Sequence, residues 1–560
     1  MSKSRKDKSN EEAFAHALFK SMGFSEDELI DRPMIGIANS WTTLVPGHYN
    51  LNQLSDYAKR GIYRGGGTAV EFGVIAACDG IANGHEGMKY VLPSREVIAN
   101  SVEIQAKAHK LDGLLLLGSC DKIVPGMLMA AARLNIPAMI LNGGPMSGGI
   151  EFDGRKSDAT TVDEAHGMLE AGRISQDIFE KLEDMVCPSC GSCAFLGTAN
   201  TMGCLSEAMG MSLPDAGLTP AHYADRLRIA YSSGLKICEL IEKNIRPRDI
   251  ITKASLRNAV KTTLAIGGST NVVIHLAAIA YEAELDIQIV DEFERLRKET
   301  PQIVKVNPSA KWDMEDFHKA GGVARVLRNM GCLIDEDCMT CTGQTVGFNI
   351  SKKVYPWPEN TEVIRPLEEP FAKEGGVAIL RGNLAPGTGV TKPGAFPVEM
   401  HVFKGVAKVF ECEEDANEAI LSGKVEAGNV VVIRYEGPKG GPGMREMYKA
   451  MKYIYGRGLI RSTAVVTDGR FSGTNNGCFV GHVSPEAAEG GVIAIVKDGD
   501  PIEINIPAGR LELGISEEEI QRRFADWKPK TKQIPKGWLQ IYAQLAVSAA
   551  EGGVMKPGHS

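Results

Sequence analysis

Residues 111–134 read LDGLLLLGSCDKIVPGMLMAAARL. Leu114–Leu117 make an apolar run with the length and bounds of a fully buried strand. A helix-like segment follows, with Pro125 near its start, where a missing N–H costs little. Cys120, Asp121 and Lys122 therefore fall at the carboxyl end of a strand, which is where open α/β sheets bind ligands. A thiol, a carboxylate and an amine in succession there read as chemistry. Taken alone, the same triplet also fits a buried cysteine before a solvated turn, so the rest of the chain has to decide.

Working outward, PMIGIANS (33–40) predicts a short buried strand, and NLNQLSDYAKRGIYRGGG a helix that stops at glycine. TAVEFGVIAACDG (68–80) predicts a second strand, ending in Cys78-Asp79. A helix over SREVIANSVEIQAKAHK leads into the opening strand, and PAMILNGGP (137–145) gives another strand closing on Gly143-Gly144. Strands alternating with helices imply a parallel sheet. Asp79, the Cys120–Lys122 triplet and Gly143-Gly144 are then expected along one sheet edge.

From about residue 163 the pattern turns helical, through HYADRLRIAYSSGLKICELIEK, LRNAVKTTLAIGGSTNVVIHLAAIAYEA and MEDFHKAGGVARVLRNMG. A stretch rich in Pro, Trp and Glu at residues 345–375 marks a boundary. Beyond it, VAILRGN, HVFKGVAKVF, VVVIRYEG, STAVVTDG, VIAIVKDGD and PIEINIPAGRLEL read as short strands between turns. The expected fold is an α/β N-terminal domain with a parallel sheet, residues 1–360, and a smaller β-rich, barrel-like C-terminal domain, residues 375–560. The first ~20 residues read as a peripheral arm.

A chain of 560 residues exceeds a single core. A formal charge of −8 argues against nucleic acid as a partner. No apolar run reaches the ~20 residues that span a bilayer, and the polar N-terminus has no apolar signal segment. Twelve cysteines are too sparse for a disulfide scaffold, so a reducing cytoplasm is the expected compartment. There, grouped thiols are better candidates for metal than for bridges.

The strongest such group is DMVCPSCGSCA (184–194), with Cys187, Cys190 and Cys193 three residues apart. Two successive Cys-x-x-Cys steps signal a metal or cluster. A zinc site would have to borrow a fourth ligand, and a ferredoxin run would need another cysteine where Leu196-Gly197-Thr198 stand. A cluster shared with a distant cysteine fits, and Cys120 is the natural lender. Cys338-Met339-Thr340-Cys341 has the same step but no further ligands nearby. EGPKGGPGMREM (436–447) reads as strand, glycine loop and helix, with Glu446 in the first helical turn. It lacks the Gly-Lys-Ser/Thr ending of a nucleotide loop. GGSTN (267–271) offers free N–H groups at a helix start, suited to a carboxylate.

Several long segments together resemble the dihydroxy-acid dehydratase/phosphogluconate dehydratase family: GHEGMKYVLPSRE, CDKIVPGMLMAAARLNIP, CPSCGSC with TANTM, GGSTNVVIHLAAIA, VVVIRYEGPKGGPGM and TDGRFSGTNNGCFVGHVSPEA. The resemblance spans nearly the whole chain. It implies an iron–sulfur hydro-lyase that converts a small 2,3-dihydroxy acid to a 2-keto acid. It implies cluster ligation by Cys120 and Cys193, and Mg²⁺ held by Asp79, Asp121, Glu446 and a carbamylated Lys122. Ser472 would be the base, in an active site between the two domains, and the assembly a homodimer or homotetramer.

Two departures matter. One branch of the family carries Pro-Cys-Asn near the first helix, its cysteine being the third cluster ligand, where this chain has Pro46-Gly47-His48. Cys190 is the first candidate replacement, then Cys187, then Cys78. The cluster is left as 4Fe–4S or 2Fe–2S, the former being associated with the Pro-Gly-His branch. Second, Tyr448, Thr474 and Asn475 add hydrogen-bonding groups near the base. They shift weight from 2,3-dihydroxy-3-methylbutanoate, a precursor of valine with its 3-methylpentanoate homologue leading to isoleucine, toward a polyhydroxylated sugar acid. The branched-chain substrate is still placed first. A non-catalytic metal or redox sensor built on the same thiols is the alternative from another class.

Overall fold

A computed structural model describes residues 9–170, 172–471, 477–530 and 532–557. The N-terminal segment is more than an arm: Asn10–Ser21 form a helix whose start is closed by a reciprocal Ser9–Glu12 capping box.

Four strands build the first sheet: β1 (Met34–Asn39), β2 (Thr68–Gly73), β3 (Gly113–Gly118) and β4 (Ala138–Asn142). They lie in the order β2-β1-β3-β4 and every pairing is parallel. The predicted strand at Leu114–Leu117 is the middle of β3, and all four leucines are fully buried. Burial on both faces explains an unbroken apolar run, each leucine contributing about 1.5–3 kcal/mol. The helices Leu51–Arg64, Met88–Ala108 and Ile123–Leu134 connect these strands. Further helices follow, among them Thr198–Ala208, Ala224–Lys243, Lys253–Ile266 and Val272–Glu282. A two-stranded hairpin, β5 (Glu151–Phe152) with β6 (Arg155–Lys156), precedes them.

The second sheet has eight strands: β7 (Ala378–Leu380), β8 (Thr388–Thr391), β9 (Val402–Phe410), β10 (Asn429–Ile433), β12 (Ala464–Thr467), β14 (Phe479–Ser484), β15 (Pro501–Asn505) and β16 (Arg510–Leu513). Their order is β16-β15-β9-β10-β12-β14-β8-β7. The middle strands β9, β10, β12 and β14 run parallel, and the outer pairings are antiparallel. The two ends meet where Arg381, just past β7, bridges Arg510 at the start of β16. The expected barrel-like architecture is therefore present, nearly closed. Alternation along β10 sorts its two faces: Val430 and Val432 point into one apolar cluster, while Val431 and Ile433 join another with residues of helices Glu413–Leu421 and Lys449–Gly456.

VIAIVKDGD does not form a strand. Val492–Ile495 is a short 3₁₀ turn, and Arg434 Nη1 donates to the carbonyls of Ile493, Ala494 and Val496. A guanidinium takes the acceptors that a neighbouring strand would otherwise use. Among the described residues, no helix is long and apolar enough to cross a membrane.

Candidate metal centre

The first sheet delivers its chemistry at two strand ends. Cys120-Asp121-Lys122 follow β3 directly, as expected. Cys78-Asp79 do not end β2, which stops at Gly73, because β1 ends at Asn39 and its last carbonyl accepts the Val74 N–H at 2.9 Å. Beyond that bond there is no strand left to pair with. Residues 74–77 are a loop that carries Cys78 and Asp79 toward Cys120.

Carboxylate oxygens of Asp79, Asp121 and Glu446 lie within 4.8 Å of one another. Glu446 comes from the C-terminal part of the chain. Its place is also a correction: it is not in a helical turn but in β11 (Glu446–Met447), paired in parallel with β13 (Arg470–Phe471). The helix begins only at Lys449. Glu446 Oε2 accepts from Asn271 Nδ2 at 2.8 Å and from Arg470 Nη1 at 3.0 Å. Asp121 Oδ1 accepts the Ala199 N–H at 2.9 Å, at the start of helix Thr198–Ala208. Lys122 is fully buried, its Nζ 3.1 Å from Asp121 and 3.8 Å from Glu446.

This crowding moves the acids apart. Burial, and then repulsion from Asp121, pushes the Asp79 carboxyl well above the usual range. Burial also opposes charge on Asp121, but Lys122 and hydrogen bonds from its neighbours outweigh it and hold Asp121 below the usual range.

The thiols stand beside the acids. Cys78 Sγ, Cys120 Sγ and an Asp79 carboxylate oxygen are mutually within 4.8 Å. Hydrogen bonding with Cys120 draws the Cys78 thiol down to about 7 and, with burial, drives Cys120 well above its ordinary value. Cys193 lines the same cavity as Asp79, Asp121 and Glu446. Burial, followed by those two aspartates, raises it. Cys190 is half-buried and Cys187 exposed, and neither lines that cavity. Cys338 and Cys341 are core thiols, Cys338 accepting from Asn258 Nδ2 at 3.6 Å.

His48 fixes the triplet from behind. Its Nε2 accepts the N–H groups of both Ser119 and Cys120 at 3.1 Å, and its Nδ1 donates to the Ser40 carbonyl at 2.7 Å. Two donors on one ring nitrogen require a neutral imidazole, and burial lowers its pKa to about 4. GGSTN is buried, and its Ser269 hydroxyl lies 2.9 Å from Thr198 Oγ1. The EGPKGGPGM loop has no spare N–H groups for a phosphate at Lys439 and Gly440, which donate to Glu486, or at Tyr435 and Glu436, which donate to Asp468. Gly443 is obligatory there: a Cβ would fall 1.9 Å from the Lys89 carbonyl.

The cavity over these groups has a volume of about 120 Å³. Met88 and Phe195 give it apolar walls, while Thr160, Asp163 and Tyr448 make a polar side. Ser472, Thr474 and Asn475 lie outside the described residues. His48, Asn271 and Arg470 escaped the sequence reading, as did the Ala199 amide. Asn271, Ala199 and Arg470 do lie within GGSTN, TANTM and DGRFSG, segments already singled out for other residues or roles.

A fit test follows from the donors themselves. Three hard oxygen ligands in one cluster suit Mg²⁺, and thiols suit iron–sulfur. A lysine ammonium cannot ligate a cation, but its carbamate can. The residues fit both groups.

The sequence profile described as dihydroxy-acid/6-phosphogluconate dehydratase N-terminal matches residues 32–349, and its C-terminal counterpart matches residues 362–553. The chain is 50% identical over 549 residues to a protein of Pyrococcus furiosus, with 98% of each chain covered. It is 49% identical over 550 residues to one of Caldanaerobacter subterraneus subsp. tengcongensis, again with 98% of each covered. A protein of Moorella thermoacetica is 48% identical over 96% of this chain and 97% of its own. All three are named dihydroxy-acid dehydratase. With both halves matched and such relatives covered end to end, the chain is an enzyme belonging to the dihydroxy-acid/6-phosphogluconate dehydratase family of hydro-lyases.

Proposed function

We propose that the enzyme dehydrates 2,3-dihydroxy-3-methylbutanoate and its 3-methylpentanoate homologue to the 2-keto acids, the reaction class named for its relatives. The observation that carries this reading is the adjacency of an oxygen set, Asp79, Asp121 and Glu446, to a thiol set around Cys120. Asp79, Asp121, Glu446 and carbamylated Lys122 would hold Mg²⁺, and Cys120 and Cys193 would hold an iron–sulfur cluster. When bound, these groups supply Lewis-acid charge for a departing hydroxide at C3 and for the electron density left at C2.

The chain's own residues do the rest. Ser472 takes the C2 proton. Asn271 and Arg470 fix the direction of the Glu446 carboxylate, and Ala199 N–H fixes that of Asp121. Met88 and Phe195 shield the reacting carbons from water. Loss of the C2 proton and the C3 hydroxide leaves an enol, which tautomerises to the keto acid. The apolar walls at Met88 and Phe195 suit the methyl groups of a five- or six-carbon branched acid. The Tyr448–Asp163 side favours the sugar-acid reading, because it offers partners for extra hydroxyls.

The test is a kcat/KM comparison on anaerobically purified enzyme. The branched dihydroxy acid should exceed a panel of aldonates by at least about tenfold. The reverse order would overturn the substrate assignment, and turnover of neither would overturn the reaction.

A further inference from the structure

We infer that Cys78, and not Cys190, is the third thiolate and joins Cys120 on one iron of a 2Fe–2S cluster, the form whose irons each have room for two protein ligands, an assignment that rests on the cluster reading above. The two thiol sulfurs and an Asp79 oxygen are within 4.8 Å of one another. Two thiolates on one tetrahedral ion, each ~2.3 Å from it, stand about 3.8 Å apart. With their sulfurs within 4.8 Å, Cys78 and Cys120 are close enough to share an ion.

The backbone is arranged to produce that proximity. β2 and β3 flank β1, so their ends are about 10 Å apart, two interstrand spacings. Residues directly on the two strand ends could not meet. The loop 74–77 crosses the end of β1 and brings Cys78 over to Cys120.

The alternatives are otherwise employed. A Cβ on Gly47 would come 3.3 Å from Ser192 N and Cα, so that position is filled by the backbone of the cysteine loop itself. Gly191 N–H donates to the Pro46 carbonyl at 3.1 Å, and Ser192 is tied to Gly144 and Met146 at 2.9 and 2.7 Å. These bonds pin the segment between Cys190 and Cys193, and among the described residues Cys190 is not one of the thiols grouped with Asp79. Ligation by Cys78 replaces its S–H by a metal–sulfur bond and releases one proton.

Differential alkylation of the wild-type holoenzyme tests the assignment without any variant. Under anaerobic conditions, iodoacetamide should label Cys78, Cys120 and Cys193 at least about tenfold more slowly in the loaded protein than after chelator removes the iron. Cys190 and Cys187 should label equally in both states. Equal labelling of Cys78 in the two states, with protection of Cys190, would overturn the proposal. A Cys78→Ala variant should lose at least half its iron and sulfide and change its electron paramagnetic resonance spectrum, whereas Cys190→Ala should keep both. The far-UV spectrum and thermal midpoint of the metal-free Cys78→Ala protein check that it is folded; if it is not, the labelling decides. Full iron and an unchanged spectrum in folded Cys78→Ala would also overturn it. A wild-type protein that takes up neither iron nor sulfide would overturn the cluster reading itself, and this assignment with it.

Discussion

Asn271 donates its side-chain N–H to Glu446 Oε2 at 2.8 Å, across 175 positions of sequence. The same nitrogen lies 3.0 Å from Thr198 Oγ1, so one amide orients a cavity-wall hydroxyl and a carboxylate together. Among the described residues, Asn271→Ala should leave Glu446 held by the hydrogen bond from Arg470 alone. Residues that orient metal ligands are worth about 10–100-fold in metal affinity. A Mg²⁺ titration of turnover should show the half-saturating concentration rising by that factor, with iron content unchanged.

Asp79, Asp121 and Glu446 crowd three carboxylates into one site, with Lys122 and Arg470 as buried cations beside them. A divalent ion bound only by the folded state stabilises it by about 2.7 kcal/mol at a hundredfold excess over Kd. Thermal unfolding in chelator should therefore start at a lower midpoint than in millimolar Mg²⁺. Asp121→Asn should abolish the difference and eliminate turnover.

Ser472→Ala removes the proposed base and leaves every proposed metal ligand in the sequence. Loss of a general base costs about 10²–10⁴-fold in kcat. Iron, sulfide and the Mg²⁺-dependent rise in midpoint should all stay at wild-type levels. A variant with near-normal kcat would assign the C2 proton to another group.

His48 is neutral because its Nε2 accepts two amides, and its pKa falls to about 4 from an ordinary 6.5. The unfolded chain thus binds a proton here that the folded one refuses between those values. Stability rises with pH through this window and is lost as pH falls through it, by about 1.4 kcal/mol per unit. His48→Ala leaves two buried N–H groups unmet, costing about 1–3 kcal/mol at pH 7. The gap between wild type and variant should shrink by about 2 kcal/mol between pH 6.5 and pH 5, read by urea denaturation.

The triplet Cys120-Asp121-Lys122 was legible because strand, glycine and helix start sit side by side in the sequence, so local rules place it. The parallel sheet was legible for the same reason, its strands being apolar runs separated by helices. Glu446 was misplaced because its two-residue strand exists only through pairing with Arg470, which no local pattern announces. His48 reads only as the neighbour of the missing ligand at Gly47, and its hold on the Cys120 amide depends on how loop 46–48 packs. The cysteine spacing drew attention to Cys190, but spacing along the chain says nothing about which sulfur faces the cavity. Cys78 faces Cys120 only because a loop carries it across the end of β1. The 3₁₀ turn at Val492–Ile495 was hidden likewise, since Arg434 lies some sixty residues away.

The halves of the metal centre are contributed at very different times in the life of the chain. Cys78, Cys120 and Cys193 have all been added to the chain before residue 194, and so have Asp79, Asp121 and Lys122. Glu446 and its guanidinium partner Arg470 arrive more than 250 residues later, on a short sheet beside the barrel. A growing chain thus presents a complete set of soft ligands long before its hard-ligand set can close. Under the proposed ligand assignment, the thiol set is complete in chain order before the oxygen set, which closes only when Glu446 has folded beside Asp79 and Asp121.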